Sequence, residues 1–415
     1  MLKFGRPKIR RQIGHRFHWV KDGVITGASD DDPSGIITYT QAGAAAGYSM
    51  LWLVVLLTPI LIAIESMASR LGVIRKEGLA VTIRRSYGFQ WALLAVGILL
   101  LSNLLSAAAD LAAMAEIFNI WTGGPTFIWV IFFGLSILLL LLRGSFKVVS
   151  LLLFWLTPFL LLYLFSALLA RPDLAGVASG FLPSFREKGQ FLEIALAVVG
   201  TTISPYLVFW QATEEAEERK TLKELAKEDR GVALGMIYSN LIAIFIIIAA
   251  GATLYSQGIN IESAREAALA LRPLLGNLAF LFYSLGILFA GLVGVPVLLT
   301  SACYALADLF NWPASLNKKE WEAVGFYFVL FLMTIGAIII GSFNFTPLAL
   351  VIFSQAVQGI LMPILIYILW RLNNDQRVVG HFLNSEFNNL FAWVGILLSG
   401  FIALIFLLEK VWPIV

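Results

Sequence analysis

Gly27-Ala28-Ser29-Asp30-Asp31-Asp32-Pro33-Ser34-Gly35 interrupts a segment over residues 20–46 that is otherwise long and apolar enough to cross a bilayer. A second interruption, Gly200-Thr201-Thr202-Ile203-Ser204-Pro205-Tyr206, lies inside residues 190–215. Proline within a helix removes a backbone hydrogen bond and clashes with the preceding turn, while glycine frees the backbone. Each break falls near the middle of its segment, where unwound backbone persists only if it is buried in protein or lines a cavity. An interrupted helix at the start of each of two five-span halves is the pattern of inverted-repeat transporters, with the substrate site at the midplane between the breaks. The alternative, two prolines that merely kink helices, is disfavoured by the matching positions and by the three carboxylates at the first break.

Composition supports a membrane setting. The 415 residues are 59% hydrophobic and 13% charged, with a mean hydropathy of +0.86, against about 25% charged residues in soluble chains. Such a chain is not disordered, not a nucleic-acid module and not an ordinary soluble enzyme. The apolar runs do not alternate, which argues against a β-barrel. The single cysteine, Cys303, excludes a disulfide frame or a cysteine zinc site. No zincin histidine pair, nucleophile elbow or phosphate loop is present, so no enzymatic activity and no resident cofactor are expected. The basic N-terminus lacks a clean apolar core and does not read as a cleavable signal peptide.

The expected fold is all-α, with eleven spans at 20–46, 48–70, 89–118, 125–142, 148–170, 190–215, 231–256, 274–309, 322–342, 346–371 and 388–409. This divides the chain into a basic tail (1–19), a first repeat (20–170), a second repeat (190–371) and a final helix (388–409). With the N-terminus inside, 23 Lys and Arg fall on the inner side and six on the outer side. The positive-inside rule therefore puts the N-terminus in the cytoplasm and the C-terminus outside, in a prokaryotic-type inner membrane. The charged stretch from Glu214 to Arg230 alternates sign at helical spacing and reads as a solvated cytoplasmic helix.

The ionisable groups inside the spans are acidic: Asp30, Asp31, Asp32, Glu65 and Asp110, with Glu116, Glu193 and Asp308 nearer the ends. Intramembrane ionisable residues mark functional sites by default, and an all-acidic interior favours a cation over an anion. Successive residues on a helix are about 100° apart, so the three aspartates cannot all face one point. Asp32, beside Pro33, is the expected ligand, while Asp30 and Asp31 line the access route or cap the helix end. Asp110 suits either a proton relay or a bond to neighbouring backbone. Glu65 and Asp308 read as vestibule or buried hydrogen-bonding groups.

The run Asp32-Pro-Ser-Gly-Ile-Ile-Thr-Tyr-Thr-Gln-Ala-Gly-Ala44 resembles the first-helix motif of the NRAMP (natural resistance-associated macrophage protein) family of divalent-metal transporters. Ile64-Glu-Ser-Met-Ala-Ser-Arg-Leu-Gly72, Ala109-Asp-Leu-Ala112 and Ser354-Gln355 with Pro363 are similar to that family's second, third and tenth spans. The resemblance implies a leucine-transporter-like fold of two inverted five-helix repeats plus an eleventh helix. It also implies a transported divalent ion held by Asp32, the Thr201 carbonyl, Ser204 and Gln355, with backbone at Gly35 and Ser34 contributing. Glu65, Asp110 and Tyr206, with Asp30 and Asp31, are candidates for the pathway or a relay.

Departures from the family pattern bear on the cargo. The family's asparagine ligand is replaced by Gly35, its methionine by Ser204, its histidine by Tyr206, and the acid expected three residues after Asp110 by Ala113. Loss of the thioether favours hard ions such as Mg²⁺ or Mn²⁺, as in NRAMP-related magnesium transporters. Loss of the histidine and the second acid points to weak or absent proton coupling. A small organic cation or amino acid on the same scaffold is the alternative cargo. The expected partners are the divalent ion and the lipid bilayer, with no nucleic acid.

Overall fold

The computed structural model describes residues 18–183, 190–259, 261, 263–343 and 347–411, which form helices and no strand. The first segment divides into α1 (His18–Asp30) and α2 (Pro33–Ala46). It is followed by α3 (Leu51–Arg75), a short amphipathic α4 (Leu79–Tyr87), α5 (Phe89–Thr122) and α6 (Thr126–Arg143). The fifth span is not one regular helix: α7 (Phe146–Leu156) passes through a 3₁₀ turn at Thr157–Leu161, containing Pro158, into α8 (Leu162–Leu169). A short α9 (Leu174–Gly180) closes this half.

The second half repeats the plan. Its first segment divides into α10 (Gln190–Thr202) and α11 (Pro205–Glu217), followed by α12 (Leu225–Thr253) and a connecting α13 (Ala264–Leu275). Then come α14 (Asn277–Phe310), α15 (Val324–Ser342), α16 (Pro347–Asn373), a single turn α17 (Gln376–Val379) and α18 (Glu386–Val411). Among the described residues ten helical segments are long and apolar enough to cross a membrane. The broken, aspartate-bearing α1–α2 segment adds the eleventh of the sequence reading. Large apolar side chains such as Phe328, Leu397 and Phe401 point outward, as a lipid-facing surface requires.

Packing follows the repeat. The broken α1–α2 segment lies on α12, and its counterpart α10–α11 lies on α3; α5 and α14 run side by side, α5 against α16 and α14 against α8. Close approach of α1 to α12 depends on glycines at a small-xxx-small spacing. Gly23 and Gly27 face Gly231 and Gly235, and a Cβ at any of the four would run into backbone of the facing helix.

Two expectations need correction. Two helices run past the expected spans: α3 continues to Arg75 and α12 already begins at Leu225. The stretch from Glu214 to Arg230 is not a solvated helix. Glu214 and Glu215 belong to α11, Glu228 to α12, and all three are buried, as is Lys220 between them. Arg219, Lys223, Lys227 and Arg230 face outward, so the stretch is solvated on one side only.

Candidate functional site

At the first break the chain leaves α1 at Asp30 and re-enters a helix at Pro33. Asp32 takes an extended conformation (φ −69°, ψ 167°) as the N-cap of α2. Its Oδ1 accepts the Gly35 N–H and the Ser34 hydroxyl, each at 2.7 Å. Proline at the first helical position costs nothing, because that N–H would be unpaired anyway. A carboxylate at the N-cap satisfies free donors and complements the positive end of the helix dipole. The Asp-Pro-Ser-Gly stretch thus encodes an anion fixed at a helix start in mid-membrane.

The second break is built alike. Ser204 is the extended N-cap of α11 (φ −89°, ψ 127°), with Pro205 first in the helix. The Ser204 hydroxyl donates to the Thr201 carbonyl at 2.8 Å, so its own lone pairs stay available to a cation. Tyr206 donates to the Ser29 carbonyl at 2.6 Å, tying the sixth segment to the first just before its break. Tyr39 and Thr202 share a hydrogen bond of 2.9 Å on the other side.

The structure brings most of the sequence-derived residues together. Gln355 of α16 donates its amide to the Ser34 hydroxyl at 3.2 Å, which in turn donates a hydrogen bond to Asp32. Asp110 of α5 accepts the Ser34 N–H at 2.8 Å. An alanine-like Cβ at Gly35 would lie 3.1 Å from Thr201 Oγ1 and 3.4 Å from Asp32 Oδ1, so Gly35 stands between these two residues. Asp32, Ser34, Asp110, Thr201, Ser204 and Gln355 are all buried, which makes the site occluded. Among the described residues no three acidic, histidine or cysteine side chains converge at metal-ligand spacing. The buried oxygens gathered here are those of the Asp32 and Asp110 carboxylates, the Gln355 amide and the Ser34, Thr201 and Ser204 hydroxyls.

Other sequence candidates stand apart from this group. Asp30 and Asp31 turn toward α12, where Ser239 Oγ lies 3.1 Å from Asp30 Oδ2 and 3.3 Å from Asp31 Oδ1. Glu65 of α3 is fully buried, and both its carboxyl oxygens lack a hydrogen-bond partner among the described residues. Asp308 lines a cleft of about 710 Å³ with Glu77, Glu217 and Tyr304.

Sequence reading missed Ser239 and Gly294. Gly294 of α14 lets Asp32 sit against that helix: a Cβ there would lie 2.7 Å from the Asp32 Cβ. Neither had a signal of its own, since a serine or a glycine in an apolar span is ordinary.

Fold and site together define a polytopic membrane protein of leucine-transporter-like architecture, with a buried group of oxygen-bearing side chains between two broken helices. The chain belongs to the natural resistance-associated macrophage protein-like family, whose sequence model matches residues 23–409. It is similar to the divalent metal cation transporter MntH of Deinococcus radiodurans, 27% identical over 291 residues, covering 65% of this chain and 64% of that protein. MntH of Yersinia pestis is also 27% identical, over 273 residues, covering 63% of this chain and 65% of the relative. The matched stretch thus spans a little under two thirds of each relative's length. Among solved structures, a manganese transporter of Eremococcus coleocola has a TM-score of 0.73 at 17% identity, covering 97% of this chain and 88% of that one. Mhp1, a nucleobase-cation-symport-1 family transporter, has a TM-score of 0.64 at 15% identity, covering 95% and 93%. At these identities the likeness establishes the fold.

Proposed function

We propose that this protein moves divalent metal cations across a membrane by alternating access, with Mg²⁺ or Mn²⁺ as cargo and weak or absent proton coupling. One observation carries the reading. Beside Asp32, the buried Asp110 Oδ2 and Gln355 Oε1 atoms lack a hydrogen-bond partner among the described residues, and both are oxygen acceptors. Leaving such acceptors unpaired costs about 1–3 kcal/mol each, more for charged groups, and a cation bound among them removes that cost. The names of the relatives, a divalent metal cation transporter and a manganese transporter, agree with it.

Asp32 supplies the charge. The Thr201 carbonyl, the Ser204 hydroxyl, the Gln355 carbonyl and backbone at Gly35 supply hard neutral oxygens. Such a set suits Mg²⁺ or Mn²⁺, and Mg²⁺ keeps several waters beside one or two carboxylates. The three histidines of the chain are His15, His18 and His381, so no imidazole stands beside the breaks to take a proton. The N-terminus lies in the cytoplasm, and the α1 half of the first segment swings away from α12 to open the site inward.

Flux into proteoliposomes, with Mg²⁺, Mn²⁺, Ca²⁺ and a panel of small organic cations and amino acids, tests the reading while internal pH is followed. Divalent flux that Asp32→Ala abolishes is expected. Flux of organic solutes alone, or an Asp32→Ala variant at the wild-type rate, overturns it; metal-dependent acidification overturns the statement on protons.

A further inference from the structure

Beyond its break, α11 carries Gln211, Glu214 and Glu215, a spacing of three and four residues that puts them on one helix face. Glu214 and Glu215 are 1% and 2% exposed, and Gln211 is 2% exposed. Thr26 of α1 donates to Glu214 Oε2 at 3.1 Å. Ser69 of α3 donates to Glu215 Oε1 at 2.6 Å, and the Gln211 amide donates to the same oxygen at 3.0 Å. Each group is therefore half satisfied. Glu214 Oε1, Glu215 Oε2 and Gln211 Oε1 have no hydrogen-bond partner among the described residues.

All three leftover atoms are acceptors. The ammonium that bonds within this cluster belongs to Lys220, and it reaches Asp22 at 2.7 Å, Glu218 at 3.1 Å and Glu228 at 3.1 Å. Its charge acts on Glu214 and Glu215 as well, but one acceptor oxygen of each stays unpaired among the described residues, and a buried acceptor left unpaired costs about 1–3 kcal/mol, more when charged.

We propose that Glu214, Glu215 and the Gln211 carbonyl, with the Thr26 and Ser69 hydroxyls, form a second divalent-cation site, occupied by cargo between Asp32 and the cytoplasm. The placement rests on the transport reading above, whereas the binding chemistry does not. Glu214 stands ten residues beyond Ser204 on the same helix, about 15 Å at 1.5 Å per residue, so the two sites are distinct. Carboxylate, amide and hydroxyl oxygens suit the same hard ions. Thr213, Ala216 and Glu217 of the same helix line the cleft of about 710 Å³, so water lies one helix width away. Because Thr26 belongs to α1, the site is complete only while α1 is seated on α12, and withdrawal of α1 opens it.

Equilibrium dialysis of the purified full chain with Mn²⁺ at neutral pH tests the proposal. Two ions per chain are expected for the wild type, one for Asp32→Ala, and one for the double variant Glu214→Gln/Glu215→Gln. Gln211→Leu, which keeps both acids, should weaken the second ion at least about tenfold and leave the first unchanged. A wild-type stoichiometry of one that the double variant does not alter overturns the proposal, and would mean that protons alone neutralise these acids. No Mn²⁺ bound to the wild type overturns it too. Failure of the transport reading looks different: proteoliposomes move no divalent ion, yet Asp32→Ala still binds one Mn²⁺ that the Glu214/Glu215 changes remove.

Discussion

Gly235→Ala should loosen the seam between α1 and α12 and expose the inner half of the first segment. A Cβ at Gly235 would meet the Gly23 carbonyl group, 2.5 Å from its carbon and 3.3 Å from the Gly23 Cα. A relaxed carbon–carbon contact is about 3.5–4.0 Å, so α1 must withdraw by about 1 Å. Backbone lies on both sides, and no side chain can rotate aside. Overpacking of this kind costs about 1–3 kcal/mol, charged only to the state in which α1 is seated. The equilibrium should therefore shift about 5–150-fold toward the state with α1 withdrawn. A single reporter thiol, Ile25→Cys, reads this out, because Ile25 is fully buried and the native Cys303 is buried as well. Its modification by a membrane-impermeant maleimide should accelerate by a comparable factor in Gly235→Ala. The control Gly97→Ala, where a new Cβ meets nothing within 4 Å, should label like the parent. If a folded Gly235→Ala variant labels at the parental rate, the glycine seam does not hold α1 closed and the reasoning fails.

Three further outcomes follow from the same structure. Gly294→Ala would press a methyl to 2.7 Å from the Asp32 Cβ; a shift of about 1 Å at the ligand should cut Mn²⁺ flux up to about 100-fold, with little change in melting temperature, and wild-type flux would refute the placement of Asp32. Ser204→Met restores a thioether at the second break and should raise Cd²⁺ affinity in calorimetry by about tenfold; an unchanged isotherm would remove Ser204 from the ion's ligands. Lys220→Met should lower thermal stability by about 3–5 kcal/mol, because it leaves buried acids without their cation. Burial pulls the Lys220 ammonium down, but Asp22, Glu218 and Glu228 outweigh it and hold the group above its ordinary value. A raised value means that its contribution is complete below the unfolded-state pKa of about 10.4 and fades only as pH climbs past the folded one. The Lys220 ammonium is charged at both pH 6 and pH 8, while the acids left behind in Lys220→Met take up protons more readily at the lower pH, so the loss should be at least as large at pH 8 as at pH 6; a loss that shrinks from pH 6 to pH 8 would show that Lys220 is not the ion holding the cluster.

Much of the architecture was legible without coordinates because the bilayer is a severe solvent. Every crossing segment needs about 20 apolar residues, and backbone may unwind only where protein surrounds it. Asp32-Pro33 and Ser204-Pro205 could be read as helix restarts for that reason. The same local logic placed Asp32 as the anion, since N-cap chemistry involves only neighbours in the chain. It failed over Glu214 to Arg230, where a regular alternation of charge suggested solvent. The alternation is real, but Lys220 reaches Asp22 of α1 and Glu228 of α12, and Glu215 reaches Ser69 of α3. Periodicity along one helix carries no information on which other helices cover it.

What the sequence determined by itself is the membrane class, the two breaks, the acidic character of the interior and the chemical identity of the carboxylate at the first break. All of these depend on residue type and short-range spacing. The tertiary structure decided which acids share a site. Ser34 links Asp32 to Gln355 and Asp110 across three helices, whereas Asp30 and Asp31, chain neighbours of Asp32, turn away to Ser239. It also decided that Gly294 makes room for Asp32 and that Gly23, Gly27, Gly231 and Gly235 let two helices touch. These facts are set by helix rotation and by approach distances between segments far apart in the chain, and neither quantity is written in any local stretch of it.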